Sequence, residues 1–161
     1  MYRLFFFTGI LIALPLHLFG QQKEDTGHHT GAGFELVVSG TFIHEPSSSH
    51  VDPLTEIHLT YWINHAWAFG AGYSFVFEEE GRVGNEVAAL VSHKPWPFLT
   101  LNAGPSFALP NSENHLELSA YLEGEVNLRI GKKGLHTGPV LGVLQGEEFR
   151  WFGGIHLGYE F

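Results

Sequence analysis

The stretch His115-Leu116-Glu117-Leu118-Ser119-Ala120-Tyr121-Leu122-Glu123-Gly124-Glu125-Val126-Asn127-Leu128-Arg129-Ile130 carries the architecture. Its even positions run Leu, Leu, Ala, Leu, Gly, Val, Leu, Ile; its odd positions hold His, Glu, Ser, Tyr, Glu, Glu, Asn, Arg. On a helix this order would scatter charge around the whole circumference. On a strand, whose side chains alternate between two faces, it gathers the charge on one side. The segment reads as a strand with one apolar and one polar face.

The same period of two recurs on either side. Ile57, Leu59, Tyr61 and Ile63 alternate with Glu56, His58, Thr60 and Asn64. Trp67, Phe69, Ala71, Tyr73, Phe75 and Phe77 alternate with the small residues Ala68, Gly70, Gly72 and Ser74. Strands are expected near 33–44, 54–64, 66–78, 84–94, 97–109, 114–131, 134–145 and 149–161. Each is long enough to cross a bilayer as a tilted strand, which takes ~9–11 residues. The connections after the second, fourth and sixth runs are tight: Asn64-His65, Lys94-Pro95-Trp96-Pro97 and Gly131-Lys132-Lys133-Gly134. Those after the odd runs are more polar, with Pro46–Ser49, Glu78-Glu79-Glu80-Gly81, Pro110-Asn111-Ser112-Glu113 and Gly146-Glu147-Glu148. Short periplasmic turns and longer external loops belong to outer-membrane barrels, and an even strand count returns both termini to the periplasm. The fold class expected is all-β: a closed antiparallel up-and-down transmembrane β-barrel of about eight strands.

Composition agrees. The 161 residues suffice for one domain with its own core. Charged residues make up 16%, against the ~25% usual in soluble domains. Gly (20 residues) and aromatics (14%) take their place, which suits a sheet whose outer face is not in water. Cys is absent, so stability must come from elsewhere than disulfides. Closing a barrel supplies it, because no strand edge is left unpaired. A net charge of −9 excludes a nucleic-acid partner, for want of a basic patch to displace counterions.

The amino terminus has the layout of a secretory signal peptide. Arg3 precedes an apolar run from Leu4 to Leu14, Pro15 interrupts it, and the chain turns polar at Gln21 after Gly20. Residues 1–20 are expected to be removed, with 21–32 a flexible periplasmic lead-in and 33–161 the barrel. The apolar run is shorter than the ~20 residues of a spanning helix.

Orientation follows from volume. The bulky apolar set is too large for the interior of eight strands, which holds side chains or one small ligand. The apolar face is expected outside, with Glu35, Ser39, Thr41, Glu56, His58, Thr60, Glu86, Lys94, Asn102, Glu117, Glu123, Glu125, Arg129, His156 and Glu160 inside. Phe34, Tyr61, Trp67, Tyr159 and Phe161 then ring the periplasmic end; Phe42, Phe75, Phe77, Phe107 and Trp151 ring the outer end. Aromatic rings favour that interfacial level. A soluble barrel or sandwich with these rings as its core is the opposite arrangement.

The carboxyl end, Gly153-Gly154-Ile155-His156-Leu157-Gly158-Tyr159-Glu160-Phe161, resembles the terminal strand of outer-membrane β-barrel proteins. The span from about residue 33 onward is similar in layout to small eight-stranded barrels of the OmpA/OmpX type, and to compact barrels of Bacteroidota-like genomes. The resemblance implies an assembly signal at Gly158, Tyr159 and Phe161, read by the barrel-assembly machinery. It implies an outer-membrane location among lipid and lipopolysaccharide. The short external loops depart from those of adhesin-like relatives.

Three kinds of chemistry are conceivable. Inward His58, His156 and His136 with Glu56 or Glu160 are ligand types suited to zinc or a related ion, although no H-E-x-x-H pair is present. Some eight-stranded barrels modify lipid with Ser and His. Here Ser92 and His93 fall on opposite strand faces, and His115 and Ser119 stand ~13 Å apart along one strand. A wide pore does not fit eight strands, whose interior side chains fill. The expected function is a structural or interaction-type outer-membrane barrel, without catalysis or cofactor, whose interior polar network comprises Glu56, His58, Glu117, Glu123, Glu125, Arg129, His156 and Glu160. The alternatives are a barrel enzyme acting on outer-membrane lipid and a soluble periplasmic lipocalin-like ligand carrier.

Overall fold

A chain with alternating polar and apolar positions can bury one face and expose the other only as extended sheet. The computed structural model describes residues 31–47, 50–78, 82–110 and 115–161. The expected signal peptide (1–20) and most of the expected lead-in (21–32) lie outside the described residues. The described chain forms nine strands: β1 Gly33–Glu45, β2 His50–Trp62, β3 Trp67–Phe77, β4 Val83–Trp96, β5 Leu99–Ala108, β6 Glu117–Val126, β7 Leu128–Arg129, β8 Leu135–Gln145 and β9 Phe149–Glu160.

Sequential strands pair antiparallel, and β9 pairs back onto β1 from Glu35↔Glu160 to His44↔Trp151, so the sheet closes. Both β6 and β7 pair with β8; they are two pieces of one stave parted at Asn127, and the barrel has eight staves. The run expected over 114–131 is therefore interrupted once. Asn127 keeps its place there, with its backbone N–H donating to Phe98 O at 2.8 Å and its side chain to Thr100 Oγ1 at 2.8 Å.

β2 starts at His50, four residues before the position expected from sequence. Asp52 and Pro53 are poor strand formers. They are accommodated because His50–Pro53 pair with β1 alone, β3 reaching only as far as Leu54. The end carrying Gly33 and Glu160 is closed by turns at 63–66, 97–98 and 130–134. In the first, Asn64 Oδ1 accepts from the N–H groups of Ala66 and Trp67 at 2.8 and 2.9 Å. In the last, Gly131 and Gly134 adopt φ near +70°, open to glycine at no steric cost. The opposite end carries the connections 46–49, 78–82, 109–116 and 146–148. The expected length contrast holds at 109–116 alone; 46–49, 78–82 and 146–148 are no longer than the turn 130–134 at the other end.

The exterior is apolar on every stave. Phe34, Leu59, Phe69, Val91, Leu101, Leu122, Leu141 and Ile155 are all exposed, Ile155 to 69%. Monomeric soluble proteins rarely expose apolar patches beyond a few hundred Å². Glu123 and Glu125, by contrast, are 1% and 2% exposed. Rings gather at both rims: Phe34 with Tyr61 (centroids 5.0 Å) and Tyr159 with Phe161 (4.9 Å) at one, His44 with Trp151 (5.4 Å) at the other.

The interior is not uniformly small and polar, and the sequence reading is corrected here. Ile43, Leu54, Val76, Ala88, Leu90, Tyr121, Leu144 and Phe152 are buried together as an apolar cluster inside the barrel. These residues obey the same parity as the carboxylates, so they share the inward face. Grouping all bulky apolar residues on the outer face hid them.

Candidate functional site

Strand parity aims the inward residues at the barrel axis, and burial leaves their polar atoms only one another as partners. At the centre, Glu56 on β2 accepts from Ser39 Oγ at 3.4 Å, Ser74 Oγ at 3.2 Å and the Tyr121 hydroxyl at 3.3 Å. His58, two residues on and facing the same way, holds its Nε2 3.4 Å from the Tyr121 oxygen and 4.0 Å from Glu56 Oε1. Its Nδ1 faces Glu123 Oε1 at 3.6 Å and Glu125 Oε1 at 3.7 Å, beyond hydrogen-bond length. Asn102 joins those two carboxylates, its Nδ2 donating to both at 2.8 and 2.9 Å. Three carboxylates thus surround one imidazole.

A second cluster closes the end with the tight turns. Lys94 Nζ contacts Glu160 Oε1 at 2.6 Å and Glu35 Oε1 at 3.8 Å, and lies 4.2 Å from the Trp62 ring centroid. Trp62 Nε1 donates to Glu35 Oε2 at 2.6 Å, and His136 Nε2 stands 3.2 Å from Glu35 Oε1. At the loop end, Arg150 Nη1 pairs with Glu86 Oε1 at 2.7 Å beneath a mouth of about 450 Å³. Glu45, Glu78, Glu117, Glu147 and Glu148 line that mouth.

The expected network is thus brought together in part. Glu56, His58, Glu123 and Glu125 form one cluster, and Glu160 belongs to the closing cluster. His156 is buried on β9, its ring 5.5 Å from that of His136. Its Cα faces Ser39, which in turn faces Glu56, so His156 and Glu56 share one ladder row. Glu117 is half-buried at the loop-end mouth, and Arg129 is exposed on the opposite rim. Neither joins the central cluster, because each lies where its strand leaves the barrel and the interior is open to solvent. Tyr121 and Trp62 were not anticipated as site residues. Parity alone finds both, for each falls on the carboxylate-bearing positions of its strand.

Rings fit inside because glycines face them. A Cβ on Gly72 would come within 2.8 Å of the His58 ring, on Gly158 within 2.1 Å of His136 Nε2, and on Gly142 within 2.1 Å of Phe152. Each glycine is the register partner of its ring. Gly158, expected as part of an assembly signal, leaves room for the His136 ring. Tyr159 and Phe161 point outward and are exposed.

Ser92 is buried on the inner face of β4, whereas His93 stacks on Trp67 at 4.2 Å outside. Ser119 is buried while His115 is exposed at the mouth. Neither Ser–His pair is assembled.

No protein-family model and no curated protein matches this chain. Solved structures do. The N-terminal β-barrel domain of OprF from Pseudomonas aeruginosa superposes with a TM-score of 0.60 at 13% identity, covering 81% of this chain and 99% of that one. A de novo designed transmembrane β-barrel gives a TM-score of 0.53 at 15% identity, over 79% of this chain and 95% of the other. The designed barrel TMB2.3 gives 0.50 at 16% identity, over 82% and 97%. At such identities the likeness defines the fold: a closed, eight-stave, outer-membrane-type β-barrel.

Proposed function

We propose that this chain is an integral outer-membrane barrel of structural or interaction type, its interior filled by side chains. The observation that carries the reading is the exposed apolar belt on every stave around an interior of carboxylates and imidazoles. Water cannot solvate that exterior favourably, and hydrocarbon can. The interior argues for a plug rather than a pore. Phe152 and its apolar neighbours fill one level, and ion pairs at Lys94 and Arg150 fill those at either end.

Residues 1–20 would direct export and β9 would present Tyr159 and Phe161 to the assembly machinery, leaving the barrel among lipid and lipopolysaccharide. The separation of Ser92 from His93 and of Ser119 from His115 leaves the two Ser–His pairs considered for lipid modification unassembled, which favours a non-catalytic role. Expression followed by fractionation tests the reading: the protein should appear in outer-membrane fractions and migrate differently on gels before and after heating. Recovery from the periplasm without detergent would overturn it, and an altered lipid A mass profile on expression would replace it with the enzyme.

A further inference from the structure

The central cluster holds more carboxyl groups than cationic partners. Glu56, Glu123 and Glu125 are all buried, and among the described residues the nearest cationic candidate is the single imidazole of His58. Lys94 is engaged with Glu160 and Glu35 at one end of the barrel, and Arg150 with Glu86 at the other. Buried carboxyl groups need a countercharge, a full set of hydrogen-bond donors or a proton of their own. Asn102, Ser39, Ser74 and Tyr121 supply some donors, yet Glu123 Oε2 and His58 Nδ1 have no hydrogen-bond partner.

One ligand atom each from Glu56, His58 and Glu123 lies within 4.8 Å of the other two. Ligands ~2.0–2.1 Å from a tetrahedral zinc stand roughly 3.4 Å apart, so small side-chain rotations close the set. We propose that Glu56, His58 and Glu123 bind one divalent transition-metal cation of the zinc class at the centre of the barrel. An imidazole nitrogen beside carboxylate oxygens favours such an ion over calcium or magnesium, which take oxygen ligands in larger number. His156 lies in the same ladder row as Glu56, across Ser39, but its ring is not among the groups that come within 4.8 Å of one another.

The closing cluster supplies an internal contrast. Glu35, His136 and Glu160 meet the same distance criterion, but there the Lys94 ammonium already occupies the cation's position. The central residues are 1–3% exposed, so the ion must enter as the barrel forms.

The test is refolding of the barrel in detergent with zinc(II) alone, or with a chelator, followed by exhaustive dialysis and metal analysis. One zinc per barrel is expected in the unaltered protein and in His136→Gln, and its loss in His58→Gln and Glu123→Gln. Gel heat-modifiability reports whether each variant has folded. Should His58→Gln not fold, the cobalt(II) spectrum of the unaltered protein decides. Intense visible bands of a tetrahedral nitrogen–oxygen set are expected, and the weak bands of an octahedral ion would overturn the site. Zinc retained by folded His58→Gln, or absent from the unaltered protein, would also overturn it.

Discussion

Phe152 is fully buried against Gly142, its register partner on the neighbouring strand, and a Cβ at residue 142 would stand 2.1 Å from the ring's Cζ. The ring is also stacked on Tyr121 at 5.7 Å, linking the apolar level to the hydroxyl that reaches Glu56. Gly142→Ala must therefore push the ring out of its place, an overpacking cost of about 1–3 kcal/mol. Urea titration of the barrel in micelles should show that loss. Gly40→Ala, where nothing lies within 4 Å of the added carbon, should show almost none.

That pairing explains what could and could not be read from the residues. The period of two was plain in 115–130 because Glu117, Glu123 and Glu125 alternate with Leu118, Leu122 and Gly124. Face assignment, strand number and the burial of Glu56 and His58 followed from it. The apolar level did not, because Ile43, Leu54 and Phe152 resemble lipid-facing residues in type and differ only in parity. The closing cluster was hidden for another reason. Lys94 meets Glu160 across 66 positions of sequence, and only barrel closure through β1 and β9 brings them together. Arg129 shows the limit of parity itself, which gives direction along a strand but not where the interior ends.

Lys94 is the countercharge for two carboxylates at once. Lys94→Met keeps an unbranched side chain of similar length and removes the ammonium that lies over the Trp62 ring, leaving buried Glu35 with Trp62 Nε1 and His136. A loss of about 1–3 kcal/mol is expected. In a double-mutant cycle with Glu160→Gln, coupling should exceed ~0.5 kcal/mol. Additive effects would show that the contact contributes nothing beyond its parts.

Glu45 and Glu148 meet at the loop-end mouth through Ser47, whose hydroxyl donates to Glu45 Oε1 at 2.7 Å and to Glu148 Oε2 at 3.3 Å. Contact with Glu45 and its charge hold the Glu148 carboxyl above its usual range. A carboxyl that keeps its proton more tightly when folded favours the folded state at low pH. That contribution is lost as pH rises through the folded value. Glu148→Gln, which cannot ionise, should match the unaltered protein near pH ~4. It should then become the more heat-resistant of the two as pH is raised to neutrality. A constant difference across the range would count against a Glu148 carboxyl held above its usual range.

The exterior makes the sharpest distinction between solvents. Ile155 lies midway along β9, exposed to 69%, with Gly40 and Pro139 as its neighbours in the ladder. In water an Arg there would be nearly neutral or favourable, since it would replace an exposed apolar side chain with a charged one. In a bilayer the same change at the midplane costs about 2–4 kcal/mol, falling to about 0–1 kcal/mol near the interface. Phe149, also outward-facing but at the strand's start beside the 146–148 turn, provides the interfacial comparison. Unfolding from lipid vesicles should therefore rank Ile155→Arg well below Phe149→Arg. Equal stabilities would place the middle of β9 in water, and the apolar belt would need another partner than lipid.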